Sequence, residues 1–174
     1  MLATARALTV ALFLMVAFSS CTQKDPPSVP SSTDAQALLD QTTRDFHNAS
    51  AEATGAERER LLNEAAKRYT DLVTRFPGQE DIAAQALRGL GSVYAAQGKL
   101  DEAVKHYQQV GEKYPGRDWE VLQAWKAAGD LLWEANRRDE AKKYYTRIVE
   151  RFGNEDASAI IQQVVRGAKA RLAE

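Results

Sequence analysis

The sequence predicts an all-α protein, built as a short solenoid of about three helix–turn–helix repeats plus a C-terminal capping helix. Three observations lead to this prediction. Equivalent residues recur at a spacing of 38 positions. No segment alternates apolar and polar residues as a half-buried strand would. The last segment places its apolar residues on one helical stripe, which suits a helix that covers the open end of a stack.

The first twenty residues have the order of a secretory signal peptide. Residues 1–6 carry one arginine, and an uncharged run dominated by Ala, Leu, Val and Phe occupies residues 7–18. A transmembrane helix needs about 18 or more apolar residues, so this run is too short to span a bilayer. It matches the apolar region of a signal peptide. An amphipathic or unstructured N-terminus is the alternative.

Cys21 is the only cysteine of the chain, which excludes an intramolecular disulfide. The stretch Phe18-Ser19-Ser20-Cys21 resembles the lipobox of bacterial lipoproteins, with small residues before the cysteine. The resemblance implies cleavage before Cys21 and lipidation of that residue with acyl chains such as palmitate. Thr22 stands where an aspartate would signal inner-membrane retention. The resemblance therefore implies an outer-membrane protein that faces the periplasm.

A tether is predicted between this cysteine and the folded domain. Residues 21–33 are rich in proline and serine and show no apolar periodicity, so we expect an extended linker with a rise of about 3.1 Å per residue. The repeat domain is predicted at 34–174. Its repeats are expected at about 34–78, 79–116 and 117–154, with the capping helix at 156–172.

The 38-residue repeat is clearest in three segments with similar endings, "AAKRYTDLVTRFPG", "AVKHYQQVGEKYPG" and "AKKYYTRIVERFGN". The equivalent sets are Ala65, Ala103 and Ala141; Tyr69, Tyr107 and Tyr145; Leu72, Val110 and Ile148; and Phe76, Tyr114 and Phe152. Self-similarity at such a period is typical of helical repeat arrays. The predicted helices cover about 34–54, 57–76, 80–97, 101–114, 119–135, 139–152 and 156–172.

The second unit resembles the tetratricopeptide repeat (TPR). Its order is Leu87-x2-Leu90-Gly91-x2-Tyr94, Ala103-x3-Tyr107 and Pro115. The third unit is similar, with Gly153 in place of the proline, and the first lacks the glycine, as terminal repeats often depart from the pattern. The chain as a whole resembles bacterial TPR lipoproteins of the kind found in outer-membrane assembly and among Tol–Pal-associated envelope proteins.

Several positions predict local geometry. Gly91 and Gly129 should mark close helix contacts, because a mid-helix glycine is otherwise destabilising. Gly98 and Asn136 fall where a helix ends in the left-handed conformation. Four further predictions concern the second helices of the pairs: Asp101 and Asp139 as N-caps, and Pro77 and Pro115 as helix stops.

The sequence shows no residue pattern typical of a catalytic, metal-binding or nucleic-acid-binding site. Basic and acidic residues number 23 and 24, giving a formal net charge of −1, so a nucleic-acid partner is not indicated. His47 and His106 are the only histidines, and neither lies in a metal-ligand or catalytic spacing. His106 is predicted to face solvent, and Trp119 is predicted to be a packing residue. We expect no enzymatic activity, metal or cofactor.

The TPR resemblance implies a concave surface lined by the first helix of each repeat. The positions carried over as candidate partner-binding residues are Gln85, Arg88, Ser92, Gln123, Lys126, Asp130 and Trp133. Arg88 and Lys126 could offer cations to a partner carboxylate and Trp133 a stacking surface, or the cations could form ordinary solvated pairs with Asp130 or Glu134. We therefore expect a lipid-anchored adaptor that binds an envelope protein or peptide segment. A self-associating structural component and a soluble periplasmic chaperone-like protein are the alternatives.

Overall fold

The computed structural model describes residues 32–174, and these residues form seven helices and no strand. The first, α1, consists of Ser32–Thr42, a π-helical segment Thr43–Asn48, and Ala49–Glu52. The others are α2 (Gly55–Arg75), α3 (Glu80–Ala96), α4 (Leu100–Lys113), α5 (Asp118–Glu134), α6 (Arg138–Phe152) and α7 (Ala159–Ala173). The predicted signal peptide, Cys21 and most of the tether lie outside the described residues.

The helices stack in chain order. Each helix from α2 onward packs against the next, and the first helices of successive repeats, α3 and α5, also touch each other. One apolar core runs through the whole stack, from Ala35 in α1 to Ala168 in α7. Equivalent repeat positions are equally buried: Ala65, Ala103 and Ala141 are all fully inaccessible to solvent. The predicted all-α solenoid with a C-terminal helix is confirmed.

The turns within the repeats follow their local sequence. Gly98 has a φ of 74° and Asn136 a φ of 61°, so both adopt the predicted left-handed conformation after α3 and α5. Each is flanked by a backbone bond that closes the turn, from Lys99 N–H to Tyr94 O (2.9 Å) and from Arg137 N–H to Leu132 O (2.9 Å). The helices before the two prolines end at Arg75 and Lys113, two residues upstream in each case.

The prediction that Asp101 caps α4 is wrong. The helix begins at Leu100, the capping position is Lys99, and no side chain caps it. Asp101 lies inside the first turn, where a carboxylate is favourable to the helix dipole, and its Oδ1 accepts a bond from Arg137 at 2.5 Å. The same one-residue displacement applies to Asp139, because α6 begins at Arg138.

The mid-helix glycines of the repeats do mark close contacts, as predicted. A Cβ added to Gly91 would lie 2.5 Å from Cε1 of Tyr107, and one added to Gly129 would lie 2.8 Å from Cε1 of Tyr145. Real Cβ atoms essentially never approach that closely. The tyrosine of the second helix therefore lies flush against the backbone of the first, and this contact fixes how the two helices of a repeat pack.

The predictions for the surroundings of Trp119 and His106 are wrong. Trp119 is 46% exposed rather than a packing residue. His106 is half-buried, because its ring stacks on Tyr94 with centroids 5.0 Å apart and planes within 3° of parallel. The stacking follows from the solenoid: α4 packs along α3, and the sequence of α4 alone does not reveal which ring lies beside His106.

Candidate functional site

The seven predicted residues share one face of the first helices, which we call the inner face. Gln85, Arg88 and Ser92 lie on α3 at helical spacings of three and four, and Gln123, Lys126, Asp130 and Trp133 do so on α5. All of them are half-buried except Lys126, which is exposed. Because α3 and α5 are in contact, the structure brings the two groups onto adjacent helices.

A cavity of about 440 Å³ lies at the N-terminal end of the inner face, between α1 and α3. Gln85, Arg88 and Ser92 form its α3 side. The α1 side comes from the π-helical segment and its neighbours: Leu39, Asp40, Thr43, Arg44, His47 and Asn48. We call this the N-terminal cavity. Its lining is mostly polar, and π-helical turns within α-helices frequently occur at functional sites.

Arg88 is held in place by a carboxylate. Its Nε donates to Oε2 of Glu120 at 2.6 Å, which joins α3 to α5 across the inner face. Glu120 is only 7% exposed, so the pair is largely shielded from water on the carboxylate side. The sequence predicts the cation but not the pair, because Arg88 and Glu120 are 32 residues apart and no local spacing connects them.

The second cation, Lys126, also has an internal partner. Its Nζ lies 2.5 Å from Oδ2 of Asp130, one helical turn along α5. The other oxygen of Asp130 accepts a bond from the hydroxyl of Tyr145 at 2.9 Å. Burial, and secondly this bond to a carboxylate, raise the pKa of Tyr145. The three residues form one hydrogen-bonded chain along the inner face.

A tyrosine hydroxyl reaches the inner face in every repeat. Tyr107 bonds Ser92 at 3.1 Å, at the position equivalent to Asp130. Tyr69 bonds Thr43 at 2.9 Å and Nδ1 of His47 at 3.1 Å. Burial raises the pKa of Tyr69 and of Tyr107, so both hydroxyls stay neutral and act as fixed hydrogen-bonding groups near pH 7.

A larger cavity of about 560 Å³ lies at the other end, between α5 and the C-terminal helix α7. We call it the C-terminal cavity. Lys126, Asp130, Trp133 and Glu134 line it from α5, Tyr145 and Ile148 from α6, and Ile160, Gln163, Val164, Gly167, Ala168 and Arg171 from α7. Its volume is in the range of ligand pockets. The sequence predicted α7 as a cover for the stack, not as a wall of the site.

Trp133 is partly covered by groups of the chain itself. The guanidinium of Arg138 lies 4.5 Å from the centroid of the indole, and that of Arg171 lies 4.9 Å from it. Such cation–π contacts contribute about 0.5–1 kcal/mol each at exposed sites. Arg171 thus ties the end of α7 to α5, and Trp133 forms part of the wall of the cavity.

Residues 82–153 match the family model of the tetratricopeptide repeat. This stretch is therefore similar to tetratricopeptide repeats. The match covers α3 through α6, which carry all seven candidate residues of the inner face. Tetratricopeptide repeats generally mediate protein–protein interactions, which supports a protein partner in general terms. No curated protein shows a significant match to the sequence.

Within residues 32–174, no group of three or more His, Cys, Asp or Glu side chains could hold a metal ion. None of the described helices is both long and apolar enough to cross a membrane.

Proposed function

We propose that this protein is a lipid-anchored TPR adaptor, which binds a segment of another cell-envelope protein along its inner face. The observation that carries the proposal is the pair of cavities at the two ends of that face. Core packing does not close either cavity, although the apolar interior behind them is continuous. A chain segment lying along α3 and α5 would contact both cavities and the candidate residues between them.

The ion pairs of the inner face refine the roles of its cations. Arg88 is assigned to holding Glu120 in place, because removing the arginine would leave a buried charge without a partner. Lys126 is exposed and can exchange Asp130 for a partner carboxylate at little cost, since exposed ion pairs contribute at most about 1 kcal/mol. Gln85, Ser92 and Gln123 offer neutral hydrogen-bonding groups beside them.

Site-specific photocrosslinking in intact cells tests this binding face. We expect a photoreactive phenylalanine analogue at Gln123, on the inner face, to give a discrete adduct with one partner protein. The same residue at Lys105, which is exposed on α4, is the matched control and should give none. Equal adducts from both positions, or adducts from Lys105 alone, would show that the partner binds elsewhere.

The anchor is a separate part of the proposal. The sequence of residues 18–21 supports cleavage before Cys21 and acylation of its thiol and amino group. Each buried methylene contributes about 0.8 kcal/mol, and two or more acyl chains give stable membrane attachment. Thr22, which stands where an aspartate would signal inner-membrane retention, supports the outer membrane, facing the periplasm, as the place of attachment.

Intact-mass spectrometry of the protein from bacterial cells tests the anchor. The expected mass is that of residues 21–174 plus acyl groups, and the protein should partition into detergent. A Cys21→Ala variant should lose both properties. An unmodified Cys21 in the mature chain would exclude the lipoprotein and favour the alternative, a soluble periplasmic chaperone-like protein.

Self-association is the second candidate function. The observation that favours it is the exposure of two large apolar side chains, Trp119 at 46% and Ile160 at 61%. Sedimentation of the detergent-solubilised protein without a partner distinguishes the two functions. A stable homo-oligomer that dissociates on Trp119→Ser would favour the structural role, and a monomer would favour the adaptor.

A further inference from the structure

Gly167 is an unusual residue of the C-terminal cavity. It lies in the middle of α7, where a glycine is destabilising relative to alanine. A Cβ added to it would meet no atom within 4 Å. No contact within the described part of the chain therefore requires this position to be glycine, and the bare backbone faces the cavity that the residue lines.

The other glycines inside helices of this fold each make room for an aromatic ring. Each one would place an added Cβ within 3 Å of an aromatic side chain on a neighbouring helix. The pairs are Gly89 with Tyr69 (2.7 Å), Gly91 with Tyr107 (2.5 Å), Gly111 with Trp125 (2.8 Å) and Gly129 with Tyr145 (2.8 Å). Among the glycines within the described helices, beyond their first residues, only Gly167 has no ring against it.

The charged side chains around the cavity indicate which charge an occupant should carry. Lys126 is engaged by Asp130, and Arg171 lies over Trp133 and pairs with Glu174 at 3.3 Å. Glu134, by contrast, is exposed and forms no ion pair within residues 32–174. Of the charged side chains that line the cavity, Glu134 is the one without an ion pair in the described residues; Arg138, which also forms none there, lies over Trp133 and outside the lining.

The cavity also has an apolar side that water now covers. Ile160 lines it and is 61% exposed, in a helix whose other large apolar side chains are half-buried or buried. Val164 and Ile148 lie in the same lining. An occupant with an apolar ring would remove this surface from water, which is favourable in proportion to the area covered.

We propose that the C-terminal cavity receives an aromatic side chain of the partner polypeptide, with its ring against Gly167 and a neighbouring lysine or arginine beside Glu134. The partner thereby completes the kind of glycine–aromatic contact that joins neighbouring helices elsewhere in the stack. This inference rests on the proposed function, namely that the inner face binds a protein segment, and it specifies the residues that this segment must present.

A selection from displayed random 12-residue peptides, with the full-length protein in mild detergent as target, tests the proposal. We expect enrichment of Trp, Tyr or Phe adjacent to Lys or Arg. Synthetic copies of the enriched peptides should bind a Gly167→Leu variant at least tenfold more weakly, because the leucine occupies the place of the ring. Glu134→Gln should weaken binding severalfold and reduce its salt dependence.

The control is Ala170→Leu, which adds the same side chain to an exposed position of α7 outside the cavity lining; its affinity should equal that of the unmodified protein. Gly167→Leu should keep the unfolding temperature of the unmodified protein, since its Cβ meets no atom within 4 Å and the cavity leaves room for the rest of the side chain. With an unchanged unfolding temperature, weaker binding cannot be ascribed to unfolding.

The failures of the two proposals are distinguishable. Peptides that are sensitive to changes at Gln123 but indifferent to Gly167→Leu, or that lack aromatic residues, would overturn this inference and leave the adaptor intact. A selection without any inner-face binder would overturn both. A concentration-dependent dimer that Gly167→Leu abolishes would assign the cavity to a second copy of the chain, and the inference would again be wrong.

Discussion

The same substitution, glycine to alanine, should have opposite effects at Gly91 and at Gly167. Both residues lie inside helices, so alanine offers each the same gain of about 0.5–1 kcal/mol in helix stability. Their surroundings differ. The new Cβ of Gly91→Ala would lie 2.5 Å from Cε1 and 2.6 Å from Cδ1 of Tyr107, whereas that of Gly167→Ala would meet nothing within 4 Å.

The size of each effect follows from the gain in helix stability and the steric cost of the added carbon. Forcing an extra carbon into a packed interior costs about 1–3 kcal/mol, and Tyr107 is only 4% exposed, with little room to move. After the helix gain is subtracted, Gly91→Ala should destabilise the protein by up to about 2.5 kcal/mol. Gly167→Ala should stabilise it by about 0.5–1 kcal/mol. The difference between the two, about 1–3 kcal/mol, isolates the steric cost because the helix term cancels.

Urea unfolding followed by circular dichroism measures both free energies of unfolding on one scale. A Tyr107→Leu background supplies the control, since it removes the ring atoms: there, Gly91→Ala should become stabilising. If Gly91→Ala stabilises the unmodified protein as much as Gly167→Ala does, the ring contact is not what requires glycine at position 91, and the comparison that singles out Gly167 fails with it.

Three further predictions concern ion pairs, pH and turns. Arg88→Met should lower the free energy of unfolding by about 1–3 kcal/mol, because it leaves Glu120 buried and unpaired. Adding Glu120→Gln should recover most of this loss in urea unfolding. A double variant no more stable than Arg88→Met alone would contradict the prediction. Burial, and secondly Arg88, lower the pKa of His47, and burial also lowers that of His106. As pH falls, the histidines of the unfolded chain take up protons before those of the folded protein. The histidine contribution to stability is therefore complete above the usual pKa of 6.5 and declines as pH falls below it. Replacing both histidines should flatten the dependence of unfolding free energy on pH, and an unchanged dependence would assign it to other groups. Asn136→Ala should cost about 1 kcal/mol because φ is positive there, whereas Asn136→Gly should not destabilise; equal stabilities would exclude the backbone explanation.

The repeat and its turns could be read from the sequence because their causes are local. A glycine or asparagine after a helix favours positive φ, and a proline prevents the preceding residue from continuing the helix. Gly98, Asn136, Pro77 and Pro115 all behave in this way. Helix starts were less exact: Asp101 lies one residue inside α4, since several residue types near a helix start are compatible with either position.

The inner face was predicted only in part. Its seven residues follow from helical spacing within α3 and α5, which is again local. Their partners are not local: the Arg88–Glu120 pair joins helices of different repeats, and the burial of Glu120 could not be inferred from its position in an acidic first turn.

By itself, the sequence determined the all-α class, the 38-residue register, the turn residues and the apolar stripe of α7. The tertiary structure alone decided that α7 forms one wall of a cavity with α5, that Trp133 lies under Arg138 and Arg171, and that Gly167 has no ring against it. The physical reason is that periodicity fixes which side of a helix is apolar, whereas the neighbour that meets a given residue depends on how distant helices stack.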